Sequence, residues 1–263
     1  MISEDTQKNW EEFGKNNPYY GVNTAEIYRG SELDAEKKRR FFAQGIAHII
    51  SLMQGPIAAR HAGRFGTAVD FGVGVGRLAI PLAGYADQVW GVDIAQSMLD
   101  RAARHAEEAG VTPLKLCRAV QDLPQGVDFV HSYIVIQHIP VEVGEQIILG
   151  LYDKLKPGGI GALHVPIADA RAPLKRYAAL AQKYITPLRY LFNLLRGAPL
   201  SDPVMQMNIY DLNRLSGMLL KRGAVNLQLV QTPSAWEGVY LIFTKGAGAD
   251  AGKWWTPEAE GKA

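Results

Sequence analysis

The sequence predicts an α/β fold, a doubly wound sheet that is parallel in its body and closed by an antiparallel pair. Three observations carry this. From Thr67 to Val165, apolar runs of strand length alternate with helical patterns of about 10–15 residues. The first run ends in alternating glycines, Gly72, Gly74 and Gly76, from which a helical pattern starts. The last two runs, 225–231 and 239–244, are joined by a link too short for a parallel crossover, so they must pair antiparallel.

The elements follow in order. Residues 3–13 form a short helix with Ser3 or Asp5 as cap. Residues 14–21 are a loop by composition, Gly14-Lys15-Asn16-Asn17-Pro18-Tyr19-Tyr20-Gly21. Trp10, Phe13, Tyr19, Tyr20 and Tyr28 crowd this polar arm. They either pin it to the domain or form a lid over a ligand. A helix over 34–54 follows, with Phe41, Phe42, Ile46, Ile49, Ile50 and Met53 as its apolar stripe. The run Lys37-Lys38-Arg39-Arg40 is its solvated face. Gly55-Pro56 breaks the pattern.

Strand one spans 67–71 and helix A 77–84. Strand two is 88–92, and helix B spans 95–109 and stops at Gly110. Strands three and four fall at 114–119 and 127–133. Helix D covers 141–155, and Pro157-Gly158-Gly159 turns into strand five at 160–165. Residues 169–203 break the alternation as a helical insertion. A last helix, 209–222, precedes the closing strands, and the tail 246–263 is rich in Gly, Ala, Lys and Glu. The division expected is an arm and helix at 1–60, a ligand-binding domain at 61–245 and a flexible tail.

Composition narrows the classes. At 263 residues the chain can bury a full core, and 48% apolar with 21% charged residues is ordinary for a globular protein. A net charge of +2 argues against a nucleic-acid footprint. The one cysteine, Cys117, excludes an internal disulfide and reads as an inert core thiol in a reducing compartment. The first thirteen residues carry four acids and no apolar core of a leader, and no apolar run spans a membrane. The expectation is a cytoplasmic protein. No His, Asp, Glu or Cys spacing points to a metal.

Strand one, the glycine turn and the helix behind it make a ligand cradle. Glycine allows a positive φ and lets a ligand lie against the backbone, and the helix start offers unpaired N–H groups. Asp93 follows the next strand, Val89-Trp90-Gly91-Val92. A carboxylate about 20 residues past such glycines can accept both hydroxyls of a ribose. The pair implies a nucleoside-containing cofactor. The spacing is G-x-G-x-G, not the G-x-G-x-x-G of dinucleotide sites, and Tyr152-Asp153-Lys154 lacks the Tyr-x-x-x-Lys of a nicotinamide-dependent oxidoreductase.

Val-Asp-Phe-Gly-Val-Gly-Val-Gly at 69–76 and Val-Trp-Gly-Val-Asp-Ile-Ala-Gln-Ser-Met-Leu at 89–99 resemble the first two motifs of class I S-adenosylmethionine-dependent methyltransferases of the small-molecule type. Asp122-Leu123-Pro124, the strand beginning Val127-Asp128-Phe129 and Leu155-Lys156-Pro157-Gly158-Gly159 follow in the same order. The resemblance covers about 65–165 and, more weakly, 205–245. It implies a Rossmann-like sheet of order 3-2-1-4-5-7-6 and S-adenosylmethionine as cofactor. An N-terminal segment covers the site in many such enzymes, which gives Tyr19, Tyr20 and Tyr28 a lid or substrate role.

Ligands in such sheets bind where strand order reverses. Gly72, Gly74 and Gly76 then pass their backbones against the methionine end, and the resemblance gives Asp70 its amino group. Asp93 takes the ribose, while Ile94 and Met98 pack on the adenine. Relatives carry an acid at the position of Ala119 for the adenine amine. Here Gln121, Asp122 or the backbone at Val120 must serve. Ser132 closes the set at the end of strand four.

Methyl transfer needs an acceptor held in line with the sulfonium methyl. An oxygen or nitrogen acceptor also calls for a base, and His138 is the best-placed candidate. The competing reading, which the sequence favours, is that His138 packs the loop before helix D. Tyr133 and His164 are further wall candidates. A non-catalytic S-adenosylmethionine-binding protein is the competing class. The acceptor is a small molecule, and the basic amphipathic stretch at 171–196 favours an anionic, sugar- or lipid-linked one. That stretch suits docking on the sheet, a pocket wall or homodimer contact, or an anionic membrane surface.

Overall fold

The computed structural model describes residues 4–112, 114–168, 205, 207–232 and 237–247. The helices are α1 (Glu4–Asn16), α2 (Pro18–Val22), α3 (Ala35–Leu52), α4 (Ala79–Leu82), α5 (Gln96–Glu108), α6 (Val141–Lys154) and α7 (Leu212–Lys221). The strands are β1 (Phe65–Phe71), β2 (Ala86–Val92), β3 (Leu114–Cys117), β4 (Val127–Ser132), β5 (Leu155–Ala168), β6 (Ala224–Thr232) and β7 (Glu237–Lys245). They form one sheet in the order β3-β2-β1-β4-β5-β7-β6. The β1–β2, β2–β3, β1–β4 and β4–β5 pairs are parallel, and β7 runs antiparallel to both β5 and β6. This is the predicted architecture.

Side chains alternate across the sheet because the strand period is two. Val69, Val130, Leu163 and Leu241 face α6 and α7, where Ile148, Leu151, Leu215 and Leu219 meet them. Ala68, Phe129, Ala162 and Ile242 face α3 and α4 with Ile49, Leu52 and Leu82. A third cluster joins the arm to the domain through Phe13, Tyr19, Tyr28, Phe41, Val75 and Met98.

Several expected boundaries differ. The segment 14–21 is helical, not a loop. α1 runs on to Asn16, and Pro18 opens α2 at a position where its missing N–H leaves nothing unpaired. Asn17 joins the two and accepts the Gly30 N–H at 3.0 Å. Helix A shrinks to α4, one turn, because Pro81 lacks a donor and Gly84 ends the run. On α3, capped by Asp34 accepting the Lys37 N–H, Phe41, Gly45, Ile49 and Leu52 are buried. Ile46 and Ile50 point outward, 48% and 39% exposed. The stripe is displaced because Gly45 lets the helix lie against the Arg77 backbone, where a Cβ would overlap the Arg77 carbonyl oxygen. Strand five begins at Leu155 and takes Pro157-Gly158-Gly159 into its length across a register shift opposite β4. Cys117 is half-buried with its thiol pushed up by burial, as an inert thiol should be.

The insertion at 169–203, with its membrane and dimer readings, and the tail from 248 lie outside the described residues. Among the described residues no helix is long and apolar enough to cross a membrane.

Candidate functional site

A cavity of about 570 Å³ opens at the carboxyl ends of β1 and β4, where strand order reverses. Its floor begins with the glycine turn. The Gly72 and Val73 N–H groups bond the Val92 carbonyl at 2.8 and 2.9 Å, which ties the turn to β2. Gly72 has φ +78°, and a Cβ there would run into the Val135 side chain. A Cβ at Gly74, φ +52°, would stand 2.7 Å from Val22. Both positions therefore require glycine twice over, for conformation and for space.

Asp93 lies at the end of β2. Its Oδ2 accepts the Gly74 N–H at 2.9 Å and its Oδ1 the Ala95 N–H at 3.0 Å. Burial pushes its carboxyl up to about 6, further helped by the charges of Asp70 and Glu11, while the two N–H bonds pull it down. Each carboxylate oxygen keeps a lone pair for another donor. Ile94, Met98, Val120 and Gln121 continue the wall, and Ala119 lines it without a carboxylate. Glu142, Gln146, Ile147 and Gly150, on one face of α6, close the far side.

Past β4, Tyr133, Ile134, Val135 and His138 reach the cavity. Ile134 has φ +60°, uncommon for a β-branched residue, and marks the sharp bend that turns the chain across the site. The His138 turn is fixed from far along the chain. The Asn208 N–H bonds the Gln137 carbonyl at 2.7 Å, and the Tyr210 hydroxyl reaches the Ile136 and Ile139 carbonyls at 3.1 and 2.8 Å. His138 meets the edge of Trp10, ring centroids 5.1 Å apart.

The roof is the arm. Thr6, Trp10, Gly21 and Val22 line the cavity. Glu11 reaches the start of α5, where its carboxylate accepts the Ser97 N–H at 3.3 Å and its carbonyl accepts the Ser97 hydroxyl at 3.0 Å. Arg101 holds the Gly14 carbonyl at 3.0 Å and Glu32 at 2.9 Å.

The structure thus gathers Gly72, Gly74, Asp93, Ile94, Met98, Val120, Gln121, Tyr133 and His138 around one cavity. It places the other expected residues elsewhere. Asp70 is buried, and its carboxylate takes His131 Nδ1 at 2.8 Å. The two are register partners on β1 and β4, so both side chains leave the sheet on the α3 face. Tyr240 continues the chain, its hydroxyl 2.9 Å from His131 Nε2 and 2.6 Å from His48 Nε2. Gly76 packs on Ala102 of α5, away from the cavity. The Ser132 hydroxyl donates to the Phe71 carbonyl and locks the two strand ends. His164 is buried on β5 with Nε2 on Thr232 Oγ1 at 2.9 Å, and burial lowers it to about 4.

The three arm tyrosines pin rather than cover. Tyr19 bonds His105 Nε2 at 3.0 Å, while His105 Nδ1 meets the Val75 carbonyl at 2.9 Å. The imidazole therefore donates from Nδ1 and accepts the Tyr19 hydroxyl. Tyr20 lies under the Arg29 guanidinium at 4.0 Å, and Tyr28 is buried on the edge of Phe41. Trp10 was visible in the sequence as an arm aromatic, but nothing there aimed it at His138. The α6 face could have been found from the spacing of Glu142, Gln146 and Gly150. Among the described residues no cluster has the makings of a metal site.

A seven-stranded sheet with a reversed terminal pair, a glycine turn and an acid at the end of the next strand, all at the switch point, make up the Rossmann-like fold that class I S-adenosylmethionine-dependent methyltransferases share. Comparison with known proteins agrees, and residues 68–159 match the methyltransferase domain family. Among curated proteins, the ubiquinone biosynthesis O-methyltransferase of Chromobacterium violaceum is 34% identical over 117 residues, 43% of this chain and 50% of that protein. The enzyme of the same name from Rickettsia canadensis is 35% identical over 97 residues, 36% of this chain and 40% of that one. The matched stretch thus spans half or less of these relatives' length. Among solved structures, magnesium protoporphyrin IX methyltransferase from Synechocystis PCC 6803, with bound S-adenosylhomocysteine, aligns at TM-score 0.59 and 17% identity over 92% of this chain and all of that one. The N-methyltransferase NodS from Bradyrhizobium japonicum aligns at 0.56 and 12% over 93% of this chain and all of its own, a likeness of fold alone.

Proposed function

We propose that this chain transfers the methyl group of S-adenosylmethionine to an oxygen of a small-molecule acceptor. The observation that carries the reading is the convergence of the glycine turn and Asp93 on one cavity at the switch point. The residues present fit the cofactor. Gly72 and Gly74 leave backbone bare and would hold the methionine end. Asp93 has lone pairs left for two ribose hydroxyls, and Ile94 and Met98 offer apolar faces to adenine. Val120 and Gln121 stand at the adenine edge in place of the acid that Ala119 lacks. The oxygen assignment follows the curated relatives, whose names are those of O-methyltransferases.

Bound there, the cofactor supplies an electrophilic methyl on a sulfonium that leaves as a neutral thioether. The chain's part is position and proton removal. Thr6, Trp10 and Val22 exclude water from above, and Tyr133 and Val135 form the wall after β4. His138, held by Trp10 and by the carbonyl contacts of its turn, is the group on that wall suited to take the acceptor's proton. Holding the acceptor in line can supply up to about 7–11 kcal/mol of the barrier.

The test is calorimetric titration with S-adenosylmethionine and NAD, followed by S-adenosylhomocysteine release over a panel of phenolic and carboxylate acceptors. Binding of NAD alone refutes the reading. Cofactor binding without turnover on any acceptor favours a binding protein over an enzyme.

A further inference from the structure

Among the described residues, three buried side-chain atoms have no hydrogen-bond partner: Arg77 Nε, the Tyr28 hydroxyl and His164 Nδ1. Buried polar atoms in native proteins are almost always paired, so each orphan calls for an explanation. Arg77 is the sharpest case. Its residue is 7% exposed, and a buried N–H that meets no acceptor is unfavourable. Arg29, Arg64, Arg101, Arg214 and Arg222 each meet a carboxylate. Among the described residues no carboxylate pairs with Arg77. Its guanidinium lies over the Phe41 ring, 5.5 Å from the centroid. Asp70 attracts it only through space, being bonded to His131.

The orphans share a neighbourhood. Tyr133, Tyr240 and Tyr28 all lie within electrostatic reach of Arg77. Tyr133 also packs on His48 and His164, ring centroids 4.0 and 4.9 Å apart. Tyr133 belongs to the cofactor cavity, whereas Arg77, Tyr28, His164 and Tyr240 do not line it. An aromatic, largely buried setting with an unpaired guanidinium N–H thus lies behind Tyr133, a residue of the cavity wall. His164 adds an acceptor. Thr232 gives its hydroxyl proton to the Gly238 carbonyl, so His164 must donate from Nε2 and leave Nδ1 as a bare lone pair.

We propose that Arg77 is the anion-binding residue of the methyl-acceptor site and takes a carboxylate of the acceptor, with the Tyr28 hydroxyl as second donor. This rests on the methyltransferase reading and narrows it to carboxylate-bearing acceptors. The cofactor's own methionine carboxylate has the same chemistry. The acceptor is favoured because Arg77 stands off the cofactor wall.

The experiment uses the full chain saturated with S-adenosylhomocysteine and titrates in benzoate and its neutral counterpart benzamide. The wild type is expected to prefer benzoate. Arg77→Met and Arg77→Gln should weaken benzoate about 10- to 100-fold, erase the preference and leave S-adenosylhomocysteine affinity within about twofold. Without ligands, Arg77→Met should melt no lower than the wild type, because it removes a buried N–H that has no acceptor. A purely structural arginine would give a lower melting temperature, which overturns the proposal. No preference for benzoate in the wild type also overturns it. Tenfold weaker S-adenosylhomocysteine binding in both variants reassigns Arg77 to the cofactor and overturns the acceptor site. Failure of the wild type to bind S-adenosylhomocysteine at all removes the methyltransferase reading and the proposal with it.

Discussion

Lowering the pH should weaken cofactor binding in a range where an ordinary aspartate stays ionised. Asp93 titrates at about 6 because burial disfavours its charge more than the Ala95 and Gly74 N–H groups favour it. In the proposed complex it accepts two ribose hydroxyls, which only the ionised form can do fully. At pH 5 the protonated form outnumbers the ionised form by about ten to one, so apparent affinity should fall about tenfold, or ~1.4 kcal/mol, from its value near pH 7.5. The sign follows from linkage. A ligand that prefers the carboxylate lowers its pKa, so binding at pH 6 releases protons. Titration calorimetry with S-adenosylhomocysteine between pH 5 and 7.5, in buffers of different ionisation enthalpy, reads both quantities. Asp93→Asn should bind weakly and without pH dependence over the same range. A wild-type dissociation constant flat across that range, or wild-type affinity in a folded Asp93→Asn protein, would falsify the ribose assignment.

Other outcomes follow from the same geometry. His48 and His164 are lowered to about 3 and about 4 by burial, so their contribution to stability is complete above the unfolded value near 6.5 and is lost as pH falls toward 4. Asp93 works the other way, since its raised pKa favours the folded state in acid. Against a loss of about 2 kcal/mol for each histidine at pH 5, it returns roughly 1, and unfolding in denaturant should show a net loss of about 3 kcal/mol between pH 7 and 5. An unchanged midpoint would contradict the burial of the histidines. Gly72→Ala puts a Cβ into Val135 at φ +78° and should cost about 2–4 kcal/mol, read by thermal melting. Arg214→Ala should lower the melting temperature more than Glu145→Gln does. It strands a buried carboxylate, whereas the glutamine leaves only a solvated guanidinium unpaired.

The strands were legible because both faces of the sheet are covered, so Val69, Val89, Phe129 and Leu163 sit in near-continuous apolar runs. The glycine turn and Asp93 were legible because each is a local signal, glycines at one strand end and an acid at the next. What failed depended on partners distant in sequence. Asp70 read as a cofactor ligand until register set it opposite His131, sixty-one residues on. Ile46 and Ile50 fit a helical stripe as well as Gly45 and Ile49 do, and only the approach of Arg77 chooses between them. The arm's polar composition hid a helix whose aromatic residues are buried by other elements. The unpaired Nε of Arg77 had no signature at all, since an unmet partner is visible only once the neighbours are placed.

The contact between Glu11 and Ser97 bears on how any shortened version of this protein must be read. α5 has no side-chain cap of its own, because Ala95 occupies the capping position. Glu11 supplies that function from another helix, and α5 carries Met98 into the cavity floor. Deleting the first dozen residues would therefore strip the ceiling and at the same stroke fray the helix beneath it. A truncated protein that no longer holds its nucleoside would testify to both losses together. Only a chain that keeps the arm but carries Glu11→Ala, compared with one carrying Trp10→Ala, separates the beam from the tile.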